Sequence, residues 1–473
     1  MLVSAASAFA QAPAPAVDPF EGQWVGHVTA PRATAEIAFA FTRTPRGLGA
    51  KFAMPAMFVA GLNLGPAEIS GDTYAMPELG ITLTRAGDAM TGTFANPLLQ
   101  VELRRGGAWP AAPVLSPLPP PPPIAWSRPL GARIWASPVA VDGVVYVGAI
   151  DGKFHAVRAA DGEDLWSWSG SHPLYGEALL AGDGVYFVDD ECALVCLARG
   201  GGALRWRVRL RDEKSAAASA TKDPTFNHRT ATPVFDHGTL YVGSTDGGVY
   251  ALDRAEGKIL WRHAAGAPIY AAVAIHNEEL VAGCFDGTLL VLNRGTGAEI
   301  ARTKIGGAIA SAPVLVDDVV MVGGRDYLLY GLKRSDLAVV WRDSFWFSWI
   351  ESVPRIVDGV AYVGGSDFRR VSAIDPATGA VRWATDVRGI TWGQPVVSGD
   401  TVYAATSAQN PAAIRHEGGI TALDRSTGEV RWRHVVPLAA AADRAGYLGS
   451  LVLASGKIIG ADYDGVLVAF PAH

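Results

Sequence analysis

The sequence predicts an all-β protein: an eight-bladed β-propeller preceded by a small β-rich domain. Three observations lead to this fold class. Short runs rich in valine, tyrosine and leucine dominate the chain, and from about residue 124 the sequence repeats with a period near 40 residues. Glycine and proline, 54 and 30 of 473 residues, are abundant enough for many tight turns. Hydrophobic residues make up 49% and charged residues 18%, which provides for a large buried core.

Residues 1–18 are interpreted as the remnant of a signal peptide or as a disordered leader. A short apolar run is followed by Ala8-Phe9-Ala10, a spacing of small residues that signal peptidase accepts. No basic region precedes it, and no cysteine follows the cleavage site, which argues against a lipid anchor. The alternative is an Ala/Pro-rich disordered leader. Export is favoured, and with it a periplasmic or secreted location.

The next two segments differ sharply in composition. Residues 19–107 alternate apolar and polar side chains between glycine turns, which predicts a small antiparallel barrel or sandwich. Residues 108–123 contain a run of prolines, which predicts a stiff polyproline linker between two domains. The propeller is expected to occupy residues 124–473.

Each repeat reads as four short strands joined by tight turns, with a tryptophan on the last strand. The segment SPVAVDGVVYVGAIDGKFHAVRAADGEDLW (137–166) can be compared with TPVFDHGTLYVGSTDGGVYALDRAEGKILW (232–261). Four hairpin-joined strands make one propeller blade, and the tryptophan offers an apolar plate to the next blade, with an indole N–H that needs a partner. The second-strand anchor recurs eight times, at Tyr146, Tyr186, Tyr241, Val281, Met321, Tyr362, Tyr403 and Ile458.

The last repeat ends at LVAFPAH without its closing tryptophan. The missing strand is expected at the other end of the repeats, where IAWSRPL (124–130) precedes the first of them. Residues 124–130 should therefore form the outer strand of the eighth blade. Such velcro closure leaves no open sheet edge in the ring.

Three repeats carry a specific motif. The segments ALDRAEGKILW (251–261), AIDPATGAVRW (373–383) and ALDRSTGEVRW (422–432) resemble the AxDxxTGxxxW tryptophan-docking repeat of quinoprotein propellers. The resemblance covers about residues 124–473. Members of that family include dehydrogenases that hold pyrroloquinoline quinone (PQQ) and Ca²⁺ on the propeller axis. Others are non-catalytic scaffolds such as the propeller subunit of the outer-membrane β-barrel assembly machine, to which this chain is similar.

A candidate site follows from the register of the repeats. Counting from the terminal tryptophans places one residue of each blade at the start of its innermost strand, and a small residue follows it in every blade, as a crowded axis requires. These eight mouth residues are Trp135, Tyr175, Thr230, Tyr270, Ala310, Glu351, Trp392 and Leu448. Insertions at 209–229, 407–418 and 437–447 and the aromatic segment 344–351 are expected on the same face, which indicates an elaborated binding face.

Ten residues on this face are predicted to bind a ligand or partner. The alternative is that the aromatic residues only pack the throat. The ten candidates are Trp135, Tyr175, Tyr270, Glu351, Trp392, His228, Arg229, Trp346, Trp349 and Arg415.

The chemistry of these residues favours binding over catalysis, although enzymatic activity stays open. The adjacent cysteine pair that lies over the quinone in the dehydrogenases is missing, and Cys192, Cys196 and Cys284 are expected to be buried free thiols. Ca²⁺ needs clustered oxygen ligands, whereas the mouth offers Glu351 with Glu177 beside it. No GxSxG, phosphate-binding loop or HExxH is present, so no catalytic or metal-binding residue is assigned.

The preferred function is therefore that of an exported, non-catalytic binding or scaffold propeller without a cofactor. The alternative is an oxidoreductase that uses PQQ with Ca²⁺. The net charge of -6 and the lack of a basic tract exclude nucleic acid as a partner. No apolar stretch reaches about 18 residues, so the chain is not expected to span a membrane. A protein or small-ligand partner and a monomeric state are expected.

Overall fold

The computed structural model describes residues 18–30, 33–45, 47–57, 59–65, 67–111, 114, 116–211, 231–346, 348–367, 369–409 and 415–472. The chain divides into two compact units, Met1–Pro113 and Val114–His473. Strands dominate the described part of both units, and its helical elements are the 3₁₀ turns η1 (Pro55–Met57) and η2 (Pro77–Leu79). None of the helical segments described could span a bilayer, since none is long and apolar enough.

The first unit is one antiparallel sheet of nine strands, in the order β4-β3-β2-β1-β9-β8-β7-β6-β5. Two meanders are thus joined by the pairing of β1 with β9. Alternate side chains on one face, among them Phe39 and Phe41, pack into an aromatic core with Phe52 and Tyr74. The strands are β1 (Gly22–Ala30), β2 (Ala33–Thr44), β3 (Gly47–Met54), β4 (Val59–Leu64), β5 (Glu68–Ser70), β6 (Thr73–Met76), β7 (Ile81–Ala86), β8 (Ala89–Phe94) and β9 (Asn96–Arg105).

The second unit is the predicted propeller, with eight sheets that each run as an antiparallel meander. Blades one to four are formed by β11 (Val139–Val141), β12 (Val144–Gly148), β13 (Lys153–Arg158) and β14 (Asp164–Ser169); β15 (Leu179–Ala181), β16 (Gly184–Val188), β17 (Ala193–Ala198) and β18 (Leu204–Arg209); β19 (Val234–Asp236), β20 (Thr239–Gly243), β21 (Gly248–Asp253) and β22 (Ile259–Ala264); and β23 (Ala274–His276), β24 (Glu279–Gly283), β25 (Thr288–Asn293) and β26 (Glu299–Lys304).

Blades five to seven follow the same plan, and blade seven carries one further strand, β39, on its second strand. These blades are formed by β27 (Val314–Val316), β28 (Val319–Gly323), β29 (Leu328–Lys333) and β30 (Val339–Ser344); β31 (Arg355–Val357), β32 (Val360–Gly364), β33 (Arg370–Ile374) and β34 (Val381–Asp386); and β35 (Val396–Ser398), β36 (Thr401–Gln409), β37 (Gly418–Asp424), β38 (Val430–Val436) and β39 (Arg444–Gly446).

The eighth blade joins the two ends of the propeller, as the sequence predicts. It consists of β40 (Val452–Ala454), β41 (Lys457–Ala461), β42 (Val466–Pro471) and β10 (Trp126–Pro129). Strand β10 pairs with β42 in antiparallel register, with Trp126 opposite Ala469. The velcro closure is confirmed, and it pairs the strand edge at which the ring would otherwise be open.

Neighbouring blades are joined by tryptophan docking. The Trp166 indole N–H donates to the carbonyl of Arg199 at 3.0 Å, and Trp261 donates to Arg294 at 3.1 Å. Each ring lies against a glycine of the next blade: a Cβ at Gly202 would come within 2.5 Å of Trp166. Gly202 also has a φ of 71°, so both space and backbone conformation select glycine there. The same arrangement recurs for Trp126, Trp341 and Trp383.

Blade four departs from this rule, and blade five compensates for it. Ala301 stands where the docking tryptophan is expected, and Leu337 stands at the matching glycine position of the next blade. Leu337 keeps the turn, with a φ of 57° and its N–H donating to the carbonyl of Lys333 at 2.8 Å. The leucine side chain is 3% exposed. In the repeat register, the tryptophan–glycine docking pair is replaced by an alanine–leucine pair between blades four and five. The leucine side chain can thus fill the space that the indole would occupy.

This exchange predicts coupled stability effects. Leu337→Gly should lower the free energy of unfolding by about 2–4 kcal/mol, because it leaves a cavity beside Ala301. Ala301→Trp alone should cost about 1–3 kcal/mol through overpacking against Leu337. The double variant recreates the docking pair, so chemical denaturation should find it more stable than the sum of the single changes by at least about 1 kcal/mol. Additive losses would show that the two positions do not share one packing site.

Part of the proline run lies along blade seven. The Arg433 N–H donates to the carbonyl of Pro119 at 2.9 Å, and the Arg388 guanidinium donates to the carbonyl of Ser116. Arg433 belongs to β38, the outer strand of its blade. The run therefore occupies part of an otherwise open sheet edge.

Candidate functional site

The innermost strands of the eight blades surround a cavity of about 510 Å³. Every blade contributes to its wall, and the mouth residues stand around it as the repeat register predicts. Thr230 lies outside the described residues. The mouth residues that line the cavity are Trp135, Tyr175, Tyr270, Ala310, Glu351, Trp392 and Leu448.

The small residues behind the mouth are there because the blades converge. A Cβ at Gly393 would come within 2.5 Å of the carbonyl oxygen of Gly449 in the next blade. A Cβ at Gly449 would come within 2.8 Å of Ser137 in the blade after that. Backbone rather than side chain is the obstacle in both cases, so larger residues cannot be accommodated by a change of rotamer. Side chains of different sizes therefore occur at the mouth positions, whereas the positions behind them hold small residues.

Hydrogen bonds tie each mouth segment to the turn between the second and third strands of its own blade. The Asp190 N–H donates to the carbonyl of Pro173 at 3.1 Å, and the Phe285 N–H donates to that of Pro268 at 2.8 Å. Pro173 and Pro268 each stand two residues before a mouth tyrosine. The two kinds of loop therefore lie on one face, as the sequence analysis expected.

These turns supply a second set of residues to the same face, and the sequence analysis missed them. They occupy a fixed position two residues after the end of the second strand, so the repeat register could have found them. Three of them, Phe285, Arg325 and Tyr463, contact mouth residues.

Glu351, the lone acid among the mouth residues, is engaged by one of them. The Arg325 guanidinium lies 2.7 Å from its carboxylate, and the Glu351 side chain is 5% exposed. Arg325 is itself held between the rings of Phe285, at 4.8 Å, and Trp349, at 4.4 Å. Because the ion pair is desolvated and flanked by aromatic rings, removal of either partner would strand a buried charge.

The part of the mouth between blades seven and one is an aromatic wall with a second arginine. Arg444 lies over the rings of Trp135, at 5.5 Å, and Trp392, at 5.2 Å. Tyr463 packs 6.1 Å from Trp135 and donates its hydroxyl to Asp443 at 3.0 Å. Burial lowers the pKa of the Arg444 guanidinium. Arginine between tryptophans is a frequent composition of protein-binding hot spots.

Arg444 is brought to the wall by two insertions that meet. Strand β36 continues into the insertion at 407–418 and pairs there with β39, which lies in the insertion at 437–447. Gln409 is opposite Arg444 and Ser407 is opposite Gly446. The sequence analysis treated both insertions as loops, and this extra strand pair corrects that interpretation.

The other predicted site residues are dispersed. Trp346 is buried at 5% exposure, whereas the exposed Arg415 reaches Glu417 at 3.4 Å. His228 and Arg229 fall outside the described part of the chain. The cysteines are free, with Cys196 and Cys284 buried as expected; Cys192 is only partly buried and precedes β17.

A second carboxyl group, that of Glu177, lines the cavity. Loss of hydration raises its pKa to about 7, and a hydrogen bond with Ser137 opposes this shift. The side chain thus takes up a proton near neutral pH. The sequence analysis noted Glu177 only as a neighbour of the mouth.

The raised pKa predicts a pH-dependent stability. Folded Glu177 holds its proton up to pH 7, whereas in the unfolded chain the proton leaves near pH 4.5. Its contribution to stability is therefore full below pH 4.5 and is lost as the pH rises through 7. Glu177→Gln should leave the melting temperature nearly unchanged at pH 4.5 and raise it at pH 8, by the equivalent of about 3 kcal/mol at most.

Scanning calorimetry at both pH values measures this difference. Glu256→Gln, in an exposed turn, is the matched control and should change neither value. Equal shifts at both pH values for Glu177→Gln would contradict the assigned titration.

The described residues around the axis do not suit Ca²⁺. The ion takes six to eight oxygen ligands. The Glu351 carboxylate is already paired with Arg325, and the raised pKa of Glu177 disfavours its carboxylate form. Across the described ranges, no group of three or more His, Cys, Asp or Glu side chains could hold a metal ion. The aromatic wall alone does not define a quinone site.

A closed ring of eight blades, tryptophan docking between them and a cavity on their axis define a β-propeller of the PQQ-like repeat class. The sequence profile described as "Outer membrane protein assembly factor BamB" matches residues 123–244, 193–298 and 285–473. The chain belongs to the BamB family.

Individual relatives are distant. The chain is 26% identical over 155 residues to the outer membrane protein assembly factor BamB of Yersinia pestis, which covers 30% of this chain and 37% of that protein. It thus matches little more than a third of the length of this curated relative. The computationally designed Ika8 protein has a TM-score of 0.58 at 18% identity, over 74% of this chain and 99% of that one. The quinohemoprotein alcohol dehydrogenase ADHIIG from Pseudomonas putida HK5 has a TM-score of 0.58 at 14% identity, over 74% and 76%. Both structures show the shared fold.

Proposed function

We propose that this chain is an exported, non-catalytic scaffold that binds a protein partner at the mouth of its propeller. One observation carries the proposal: several aromatic side chains of the mouth, with arginines packed on them, surround an open cavity. Arg444 lies between Trp135 and Trp392, and Arg325 lies between Phe285 and Trp349. Such amphipathic, rotamer-limited side chains supply most of the binding energy in protein interfaces.

The charged groups of the mouth support binding rather than bond-making. Glu351 is held in an ion pair, and Arg444 is stacked rather than aimed at a common reaction centre. General acid–base catalysis needs a titrating group within hydrogen-bonding reach of a second functional group on the substrate side. Glu177 has a pKa of about 7, but its side chain is hydrogen-bonded to Ser137, which is a residue of the cavity wall. Membership of the BamB family supports the same role, with export as part of it.

Site-specific photocrosslinking tests this function. A p-benzoylphenylalanine at Tyr270, which lines the cavity, should give a discrete crosslinked product with a protein partner in the producing cells. Trp135→Ala in the same background should reduce the product at least about tenfold, because it removes one side of the stacked arginine.

The opposite face provides the control. Glu278, 74% exposed in the turn between β23 and β24, should give no discrete product when it carries the same crosslinker. Equal crosslinking at Glu278, or a product unaffected by Trp135→Ala, would refute binding at the mouth.

Isothermal titration calorimetry tests the oxidoreductase alternative. The purified chain should give no saturable heat with PQQ at micromolar concentrations, with or without Ca²⁺, because Glu351 is committed to Arg325. Tight, Ca²⁺-dependent binding that Glu351→Ala abolishes would overturn the scaffold proposal. Glu256→Ala, an exposed change in the turn between β21 and β22, is the control for unspecific loss of binding.

A further inference from the structure

A polar recess lies beside the mouth where blades six and seven meet. Asp367 stands in the turn between β32 and β33, and His416 precedes β37 in the insertion of blade seven. His416 Nε2 is 3.9 Å from the nearer Asp367 carboxylate oxygen. The Asp367 side chain is 34% exposed, so the recess can be reached from solvent.

His416 is a buried side chain whose hydrogen-bonding capacity is unused. Its side chain is 1% exposed, and neither ring nitrogen has a hydrogen-bond partner among the residues that the structure describes. Burial and the nearby Arg369 lower its pKa to about 3, so the ring is neutral and offers one acceptor nitrogen. A buried polar group of this kind costs free energy unless another group completes it.

Asp367 makes the recess attractive to a cation. One of its oxygens accepts a hydrogen bond from Ser366 at 2.9 Å, and the other faces His416. Burial and, to a smaller extent, the Glu351 carboxylate raise the pKa of Asp367, because both disfavour its charged form. A positive group placed against Asp367 would relieve this.

The distance between the two acceptor atoms selects the kind of cation. Zinc bonds at about 2.1 Å would require an angle near ~136° between atoms 3.9 Å apart, far from tetrahedral. A nitrogen donor at about 2.8 Å from both atoms needs an angle near ~88°, which an ammonium or guanidinium group meets with two N–H bonds. The geometry fits an organic N–H cation better than a zinc ion.

We propose that Asp367 and His416 form a specificity pocket for the cationic side chain of a lysine or arginine on the protein partner. The pocket rests on the proposed scaffold function and specifies one chemical feature of the partner. Asp367 supplies the charge, and the acceptor nitrogen of His416 fixes the direction of approach. A neutral side chain of the same length would leave both acceptors unsatisfied, so the pocket would discriminate against it.

Small probes test the pocket without knowledge of the partner. The full chain, labelled with ¹³C at histidine Cε1, is titrated with n-butylammonium and n-butylguanidinium, and the His416 signal is assigned by its loss in His416→Gln. At least one probe should shift that signal saturably, with a dissociation constant on the order of 10 mM, and should leave the other histidine signals in place. Binding should weaken at least about tenfold in Asp367→Asn, which keeps the side-chain shape.

The controls separate hydrogen bonding from unspecific charge effects. n-Butyltrimethylammonium has the same charge without N–H donors and should not shift the His416 signal. An equal response to this compound, or an unchanged response in Asp367→Asn, would overturn the pocket. A lack of response in the wild-type chain would also overturn it. Unchanged melting temperatures of the variants show that they are folded and that their titrations can be compared with that of the wild-type chain.

The probe titration and the crosslinking experiment together distinguish failure of the pocket from failure of the proposed function. If the probes fail while the Tyr270 crosslink persists in Asp367→Asn, the scaffold stands and the pocket does not. If the crosslink itself is absent from the wild-type chain, the proposed function fails, whereas probe binding would still establish a cation site.

Discussion

Tryptophan docking between neighbouring blades is the interaction on which the rest of the structure depends. Five indoles donate to a carbonyl of the next blade, and each of them lies on a glycine with a positive φ, as Trp166 does with Gly202; the five are those of Trp126, Trp166, Trp261, Trp341 and Trp383. The repeated contact holds neighbouring blades together, and the ring closes where β10 pairs with β42. The inner strands then converge so closely that Gly393 and Gly449 have no room for a Cβ. Chemical diversity is left to the residues just outside that constriction.

Under the proposed function, binding would be concentrated in two residues of each blade. One is the mouth residue, and the other is the turn residue two positions after the second strand. Arg325 and Glu351 show how the two sets combine, since the turn residue of blade five binds the mouth residue of blade six. The result is a rigid surface in which charged groups are already oriented by their neighbours, so little conformational entropy is lost when a partner binds.

The sequence was informative wherever the repeat holds and uninformative where it is interrupted. Blade number, closure by residues 124–130 and the cavity-lining mouth residues follow from a fixed period, because the same local contacts recur at each step. The pairing of β36 with β39 could not be predicted, since it joins two insertions whose lengths and sequences do not follow the repeat. The Arg325–Glu351 pair was missed because only one residue per blade was counted, although the second had an equally regular position.

The interrupted repeat is also what makes the mouth asymmetric. Eight equal blades would present eight equal sectors, whereas the insertions of blade seven place Arg444 on one side and His416 on the other. Towards blades eight and one the wall is aromatic and cationic, with Arg444 on Trp135; towards blade six it carries the carboxylate of Asp367. A partner that matches both sectors with opposite charges can dock in one orientation only, because rotation by one blade would juxtapose like charges. The regular ring thus supplies rigidity, and the insertions of blade seven make the mouth directional.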